Sequence, residues 1–110
     1  MLKRDLDQVN QLLQAIDRIT EYTSSVSGSD ELMQKTVLYD ATLMNFIVLG
    51  ETVDRLSDEF KDANHQIPWF KVKSFRNIIA HDYFGIDPEE VWDIIQNHLP
   101  ILHHQLRSLT

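Results

Sequence analysis

The stretch Asp30–Asp58, DELMQKTVLYDATLMNFIVLGETVDRLSD, decides the fold class. Leu32, Met33, Val37, Leu38, Ala41, Met44, Ile47, Val48 and Leu49 recur at steps of three and four, and Val53, Leu56 and Phe60 extend the run. That period gathers them on one face of an α-helix, whereas a half-buried strand would need steps of two. The spacing predicts one helix over about residues 30–58. Gly50 interrupts the run, which implies a bend or unusually close packing at that point. Ser29 or Asp30 is placed to cap the helix start, and Glu31 suits its positive end.

Working outward, Leu6, Val9, Leu13, Ile16 and Ile19 mark an earlier amphipathic helix over about residues 2–23. The segment Thr23–Ser29 reads as a linker. Downstream, residues 61–67 are polar and aperiodic and read as a loop. Pro68 suits the first position of a third helix, whose stripe is Trp69, Val72, Phe75, Ile78 and Ile79 and which should fray around His81–Phe84. Asp87-Pro88-Glu89-Glu90 has the order of an N-cap, a proline at N1 and a glutamate at N3. Val91, Trp92, Ile94, Ile95 and Leu99 then give a fourth helix, which Pro100 should kink or break. Ile101, Leu102 and Leu106 suit a short last helix. No segment alternates with period two. The expected fold is all-α, an antiparallel bundle of four long helices with a short fifth after Pro100, in a single domain over residues 1–110.

Composition narrows the function classes. The 110 residues are 43% hydrophobic and 25% charged, which is ordinary for a globular domain and excludes a disordered tail. There is no cysteine, so disulfides, thiolate catalysis and cysteine-based zinc sites are excluded. Met1–Asp7 lacks the apolar core of a signal peptide, and no stretch approaches the length of a membrane span, so the expected compartment is the cytoplasm with no membrane partner. The net charge of −7 disfavours a protein that coats nucleic acid or a polybasic membrane surface. That charge is uneven. Residues 61–81 hold Lys61, Lys71, Lys73 and Arg76 against Asp62 alone, a net of +3, and the remainder carries −10.

The basic island ends in Arg76-Asn77-Ile78-Ile79-Ala80-His81-Asp82-Tyr83. Four-residue spacing lets Asn77 reach His81 on a helix, and seven-residue spacing puts Arg76 under Tyr83 if the helix persists that far. The set holds a permanent cation, an imidazole, an amide and a phenol, with no metal-ligand spacing and no nucleophilic serine. Such groups suit phosphodiester chemistry, in which histidine moves protons and arginine holds phosphate oxygens as charge builds. One histidine cannot easily serve both sides of phosphorus in one cleavage. A symmetric dimer with the motif near its axis would supply two copies of Arg76 and His81. The plainer alternative is a surface salt bridge from Arg76 to Asp82, with His81 as an ordinary residue at a helix end.

The pattern Arg76–(four residues)–His81-Asp82-Tyr83 resembles the R-X4-H-X-Y motif of HEPN-domain proteins, in particular the HepT-like toxins. Leu49-Gly50-Glu51, Ile67-Pro68-Trp69, the run Arg76–Asp87 and Val91-Trp92 resemble further segments of that family in the same order, so the likeness spans roughly residues 5–106. Relatives often carry a glycine shortly before the arginine, where this chain has Lys73-Ser74-Phe75. The resemblance implies a HEPN-like helical homodimer and a metal-independent endoribonuclease, needing no cofactor, with Arg76 and His81 catalytic and Asn77 supporting. It also implies a type VII toxin–antitoxin pair, in which a cognate minimal nucleotidyltransferase (MNT) neutralises the toxin by AMPylation of Tyr83. The alternative in the same family is a non-catalytic HEPN partner that binds substrate for a nucleotidyltransferase.

Glu51 is placed to face the cleft from the second helix and pair with Arg76 or His81, or else to be a plain surface carboxylate. Lys71 and Lys73 are placed to guide an RNA backbone. His98, His103 and His104 lack a common direction on a helix and read as surface histidines, with no metal site expected. His65 reads as solvated. Trp69 and Trp92 read as core or interface anchors, and Met33 and Met44 as core filler.

Overall fold

The computed structural model describes residues 2–110, so Met1, the first residue of the expected domain, lies outside them. The order is α1 (Lys3–Thr23), α2 (Ser29–Gln34), α3 (Thr36–Arg55), α4 (Asp58–Ala63), α5 (Trp69–His81), a 3-10 turn (Tyr83–Gly85), α6 (Pro88–Asp93), a π turn (Ile94–His98) and α7 (Leu99–Arg107). No strand occurs among the described residues, so the all-α class holds. No helix is long and apolar enough to cross a membrane among those residues. α3 is the central element, flanked by α1 on one side and α5 on the other. Val9, Leu12, Ile16 and Ile19 of α1 meet Leu43, Phe46, Leu49 and Val53 of α3 in one buried cluster, joined by Ile79, Val91, Leu99 and Leu106.

The long second helix is two helices. Lys35 leaves the helical region at φ −86°, ψ 77°, so α2 can turn against α6 while α3 keeps its register between α1 and α5. Leu32 is thereby fully buried. Ser29 and Asp30 are not the cap, because both lie inside α2. Ser27 instead donates its hydroxyl to Glu31 Oε2 at 2.6 Å and its backbone N–H at 3.3 Å. These bonds and that from Lys35 lower the pKa of Glu31. α3 runs unbroken through Gly50, which makes room for a side chain of α5.

α3 stops at Arg55, and α4 takes up the start of the expected 61–67 loop. Ser57 caps α4 by accepting the Phe60 N–H at 3.2 Å. Asp5 of α1 anchors that corner: its Oδ1 accepts the Ser57 N–H at 2.9 Å and its Oδ2 the Ser57 hydroxyl at 2.8 Å. Burial alone would raise the Asp5 pKa, but the Ser57 bonds and the nearby charge of Arg4 outweigh it and hold the value low. Trp69 is a core anchor, as expected, and its indole N–H donates to the Asn64 carbonyl at 3.1 Å. Pro68 precedes α5 rather than opening it. Asp87 caps α6 ahead of Pro88, as the sequence order implied.

Pro100 does not break the last helix. Leu99 donates its N–H to the Ile94 carbonyl, five residues back, so the chain widens by a π turn just before the proline. A proline lacks the N–H of a regular turn and its ring crowds the carbonyl four residues earlier. The wider turn relieves both, and α6, the π turn and α7 follow one another with no non-helical residue between them. Met33 and Met44 are not core filler: they are 46% and 59% exposed.

Candidate functional site

The site is built where α5 crosses Gly50 of α3. A Cβ on Gly50 would overlap the Cβ and Cγ of Arg76. The arginine stem therefore lies directly on the α3 backbone, and Phe46 and Phe75 pack edge to face at 5.0 Å beside it. The guanidinium is steered from two sides. Nη2 donates to Glu51 Oε1 in an ion pair, and Nη1 donates to Asn77 Oδ1 at 2.9 Å. Nε is buried and has no partner among the described residues. An arginine offers five N–H donors; with one on each Nη engaged and Nε buried, one N–H on each Nη is left for an anion.

The structure brings Arg76, Asn77 and Glu51 together and sends His81 and Tyr83 elsewhere. The expected Asn77–His81 contact is absent, because the Asn77 carbonyl oxygen faces Arg76. The Arg76–Asp82 bridge is replaced by the one to Glu51. His81 is the last residue of α5, exposed and without a side-chain partner among the described residues. α5 ends there because Asp82 adopts φ −146°, ψ 56°, so the seven-residue relation of Arg76 to Tyr83 does not form. Tyr83 sits in the 3-10 turn and donates its hydroxyl to Asp40 of α3. That hydrogen bond, with partial burial, the Asp40 charge and Tyr39, raises the Tyr83 pKa. The Asp40 contact joins residues 43 apart in the chain and left no sequence signal.

Lys73 pairs with Asp54 of α3 at 3.0 Å, whereas Lys71 is exposed and makes no ion pair among the described residues. His103 pairs with Asp17 at 3.0 Å and His98 with Asp93 at 3.4 Å, so the C-terminal histidines point to separate carboxylates. No cluster of three or more metal-ligating side chains occurs among the described residues. The apolar pocket of about 110 Å³ between α5 and the π turn is lined by Phe46, Val72, Phe75 and Leu99, and neither Arg76 nor His81 reaches it. The elements that carry the site also expose apolar side chains: Val37 and Met44 of α3, Ile78 of α5 and Phe84 of the 3-10 turn.

The model of a family described as ribonuclease HepT-like matches residues 12–109. Among similar proteins, two are named "putative RNase". One, from Methanocaldococcus jannaschii, is also named a gamma-glutamylcyclotransferase; it is 29% identical over 101 residues, which is 92% of this chain and 45% of that protein. The chain thus spans less than half the length of this relative. The other, from Caldanaerobacter subterraneus subsp. tengcongensis, is 25% identical over 98% of this chain and 96% of its own length. A protein named "Probable ribonuclease HepT" from Thermococcus cleftensis is 26% identical over 99% of this chain and 98% of its own. No solved structure matches the chain.

Proposed function

The chain belongs to the HepT-like ribonuclease family, and from that premise we propose that it is the endoribonuclease toxin of a cytoplasmic HEPN/MNT toxin–antitoxin pair. In this reading residues 1–110 form one HEPN-like domain that acts as a homodimer, cuts RNA without a metal ion, and is neutralised by AMPylation of Tyr83 by the cognate minimal nucleotidyltransferase. The observation that carries it is a guanidinium with unused Nη donors, fixed by Gly50, Glu51 and Asn77, five residues from an exposed histidine that has no side-chain partner among the described residues.

Cleavage begins with attack of a ribose 2′-hydroxyl on the adjacent phosphorus. His81 of one protomer takes the hydroxyl proton, and the partner subunit's His81 protonates the departing 5′-oxygen. Arg76 donates to the non-bridging oxygens as charge builds on them, and the products are a 2′,3′-cyclic phosphate and a 5′-hydroxyl. Glu51 and Asn77 position Arg76. The exposed apolar side chains Val37, Met44, Ile78 and Phe84, on the same three elements as the site, support burial against a second copy. Lys71, which makes no ion pair among the described residues, is better placed than Lys73 to guide the strand. An adenylyl group on the exposed Tyr83 would set a phosphodiester anion and a nucleoside two residues from His81 and obstruct the strand.

The test is RNA cleavage by the purified, unmodified protein with EDTA present, across varied RNAs, with light scattering on the same sample. The expected result is a dimer that leaves cyclic phosphate ends, and Arg76→Ala slowed about 100- to 1000-fold. A wild type that binds a nucleotidyltransferase but cleaves no RNA would favour the non-catalytic partner instead.

A further inference from the structure

The tryptophans of this chain are structural, yet an aromatic ring stands free beside one of them. Phe70 is 82% exposed, next to Trp69 at 8%. It borders an open concavity of about 530 Å³ that is also lined by Lys61, His65, Pro68 and Lys71, with Asp62 as its one carboxylate. Lys61 is held by Asp58 at 3.7 Å, and Lys71 has no such partner among the described residues. The ring also has a defined relation to the site. Phe70, Asn77 and His81 are separated by seven and eleven residues on one α-helix. At 100° per residue they fall within about 20° of a single line along the axis. Phe70 precedes His81 along that line by about 16 Å.

We propose that Phe70 is a stacking platform for a base of the RNA strand, a few nucleotides from the cut bond, with Lys71 on the adjoining phosphate. The inference rests on the ribonuclease reading above and adds a substrate-binding residue to it. An exposed aromatic beside cations, in line with His81, matches how proteins hold single strands: the ring takes a base face and the lysines take the backbone. Charge separates Phe70 from the other exposed phenylalanine. Phe84 is 97% exposed but follows Asp82 and Tyr83, whose hydroxyl is held by Asp40. Those carboxylates repel a phosphate backbone, so Phe84 suits a protein contact and Phe70 suits RNA.

The experiment measures binding of a short fluorescein-labelled single-stranded RNA by the full chain in the His81→Ala background, where the strand stays intact. Phe70→Ala should weaken binding about tenfold, and Phe70→Trp should keep it within about twofold. With 2-aminopurine walked along the strand, one position should be quenched on binding, and that quenching should vanish in Phe70→Ala. Unchanged affinity in Phe70→Ala, with RNA binding otherwise intact, overturns the platform alone. A changed oligomeric state in Phe70→Ala without loss of RNA affinity assigns the ring to a protein contact and overturns it as well. If the wild type neither cleaves nor binds RNA, the ribonuclease reading falls and the platform with it.

Discussion

Asp5 and Glu51 are both carboxylates that reach across to another segment of the bundle, and they are held in opposite ways. Asp5 is 1% exposed, and each of its oxygens accepts a bond from Ser57. Ser57 in turn caps α4, so both Asp5 oxygens and the Ser57 hydroxyl are engaged. The Glu51 side chain is 43% exposed and grips one nitrogen of Arg76, whose Nε is left buried and unpaired. The first arrangement saturates its donors, which is what a scaffold does with a buried charge. The second fixes a cation and keeps part of its bonding capacity unused, which is what an anion site requires. Spare donors, rather than the presence of an ion pair, separate the site from the frame.

Substitutions at these residues test that contrast, and they rank by expected loss of stability. Asp5→Ala should be the most damaging, at about 2–3 kcal/mol, because it removes two bonds to a charged acceptor and strands the Ser57 N–H. Chemical denaturation would measure it, and RNA cleavage per folded molecule should stay at the wild-type level. The pH dependence follows from the same corner. The Asp5 pKa is lowered on folding, so the unfolded chain binds its proton more readily than the folded one. Its stabilisation is full above the ordinary carboxylate value, near pH 4, and drains away as the pH falls below it. Asp5→Asn should flatten that part of the acid-unfolding curve.

Gly50→Ala comes next, at about 1–3 kcal/mol, because the added methyl overlaps the Arg76 stem. This substitution touches both frame and site. Denaturation and cleavage should therefore both suffer, and a stable variant with full activity would contradict the seating of Arg76 on α3. Glu51→Gln should change stability least, by under about 1 kcal/mol, since the pair is partly exposed and screened by solvent. A several-fold fall in cleavage with little change in melting is the expected signature, read by enzyme kinetics and calorimetry on one preparation.

The bundle was legible because apolar residues repeat at helical steps from Leu6 to Leu106, and burial enforces that period. Breaks inside helices were less so. Lys35 carries no helix-breaking chemistry, and the kink there answers the docking of α2 on α6, a tertiary demand. Pro100 announced a break, but the chain absorbed it one turn earlier through a π turn that no residue type specifies. In the site, Gly50 was the useful clue: a glycine within a helical run marks close approach, and Arg76 is what approaches. Helical spacing alone pairs Asn77 with His81, but the adjacent Arg76 takes the amide oxygen instead. Asp40 was invisible because its partner, Tyr83, is distant in the chain and meets it only after α5 has ended.

The most direct test of the account is His81→Ala, assayed for RNA cleavage and thermal unfolding on the same sample. His81 is exposed and unpartnered among the described residues, so its imidazole has no task in the frame. The expected result is a melting temperature unchanged within about 2 °C and cleavage reduced about 100- to 10,000-fold. Cleavage at the wild-type rate by this folded variant would contradict it.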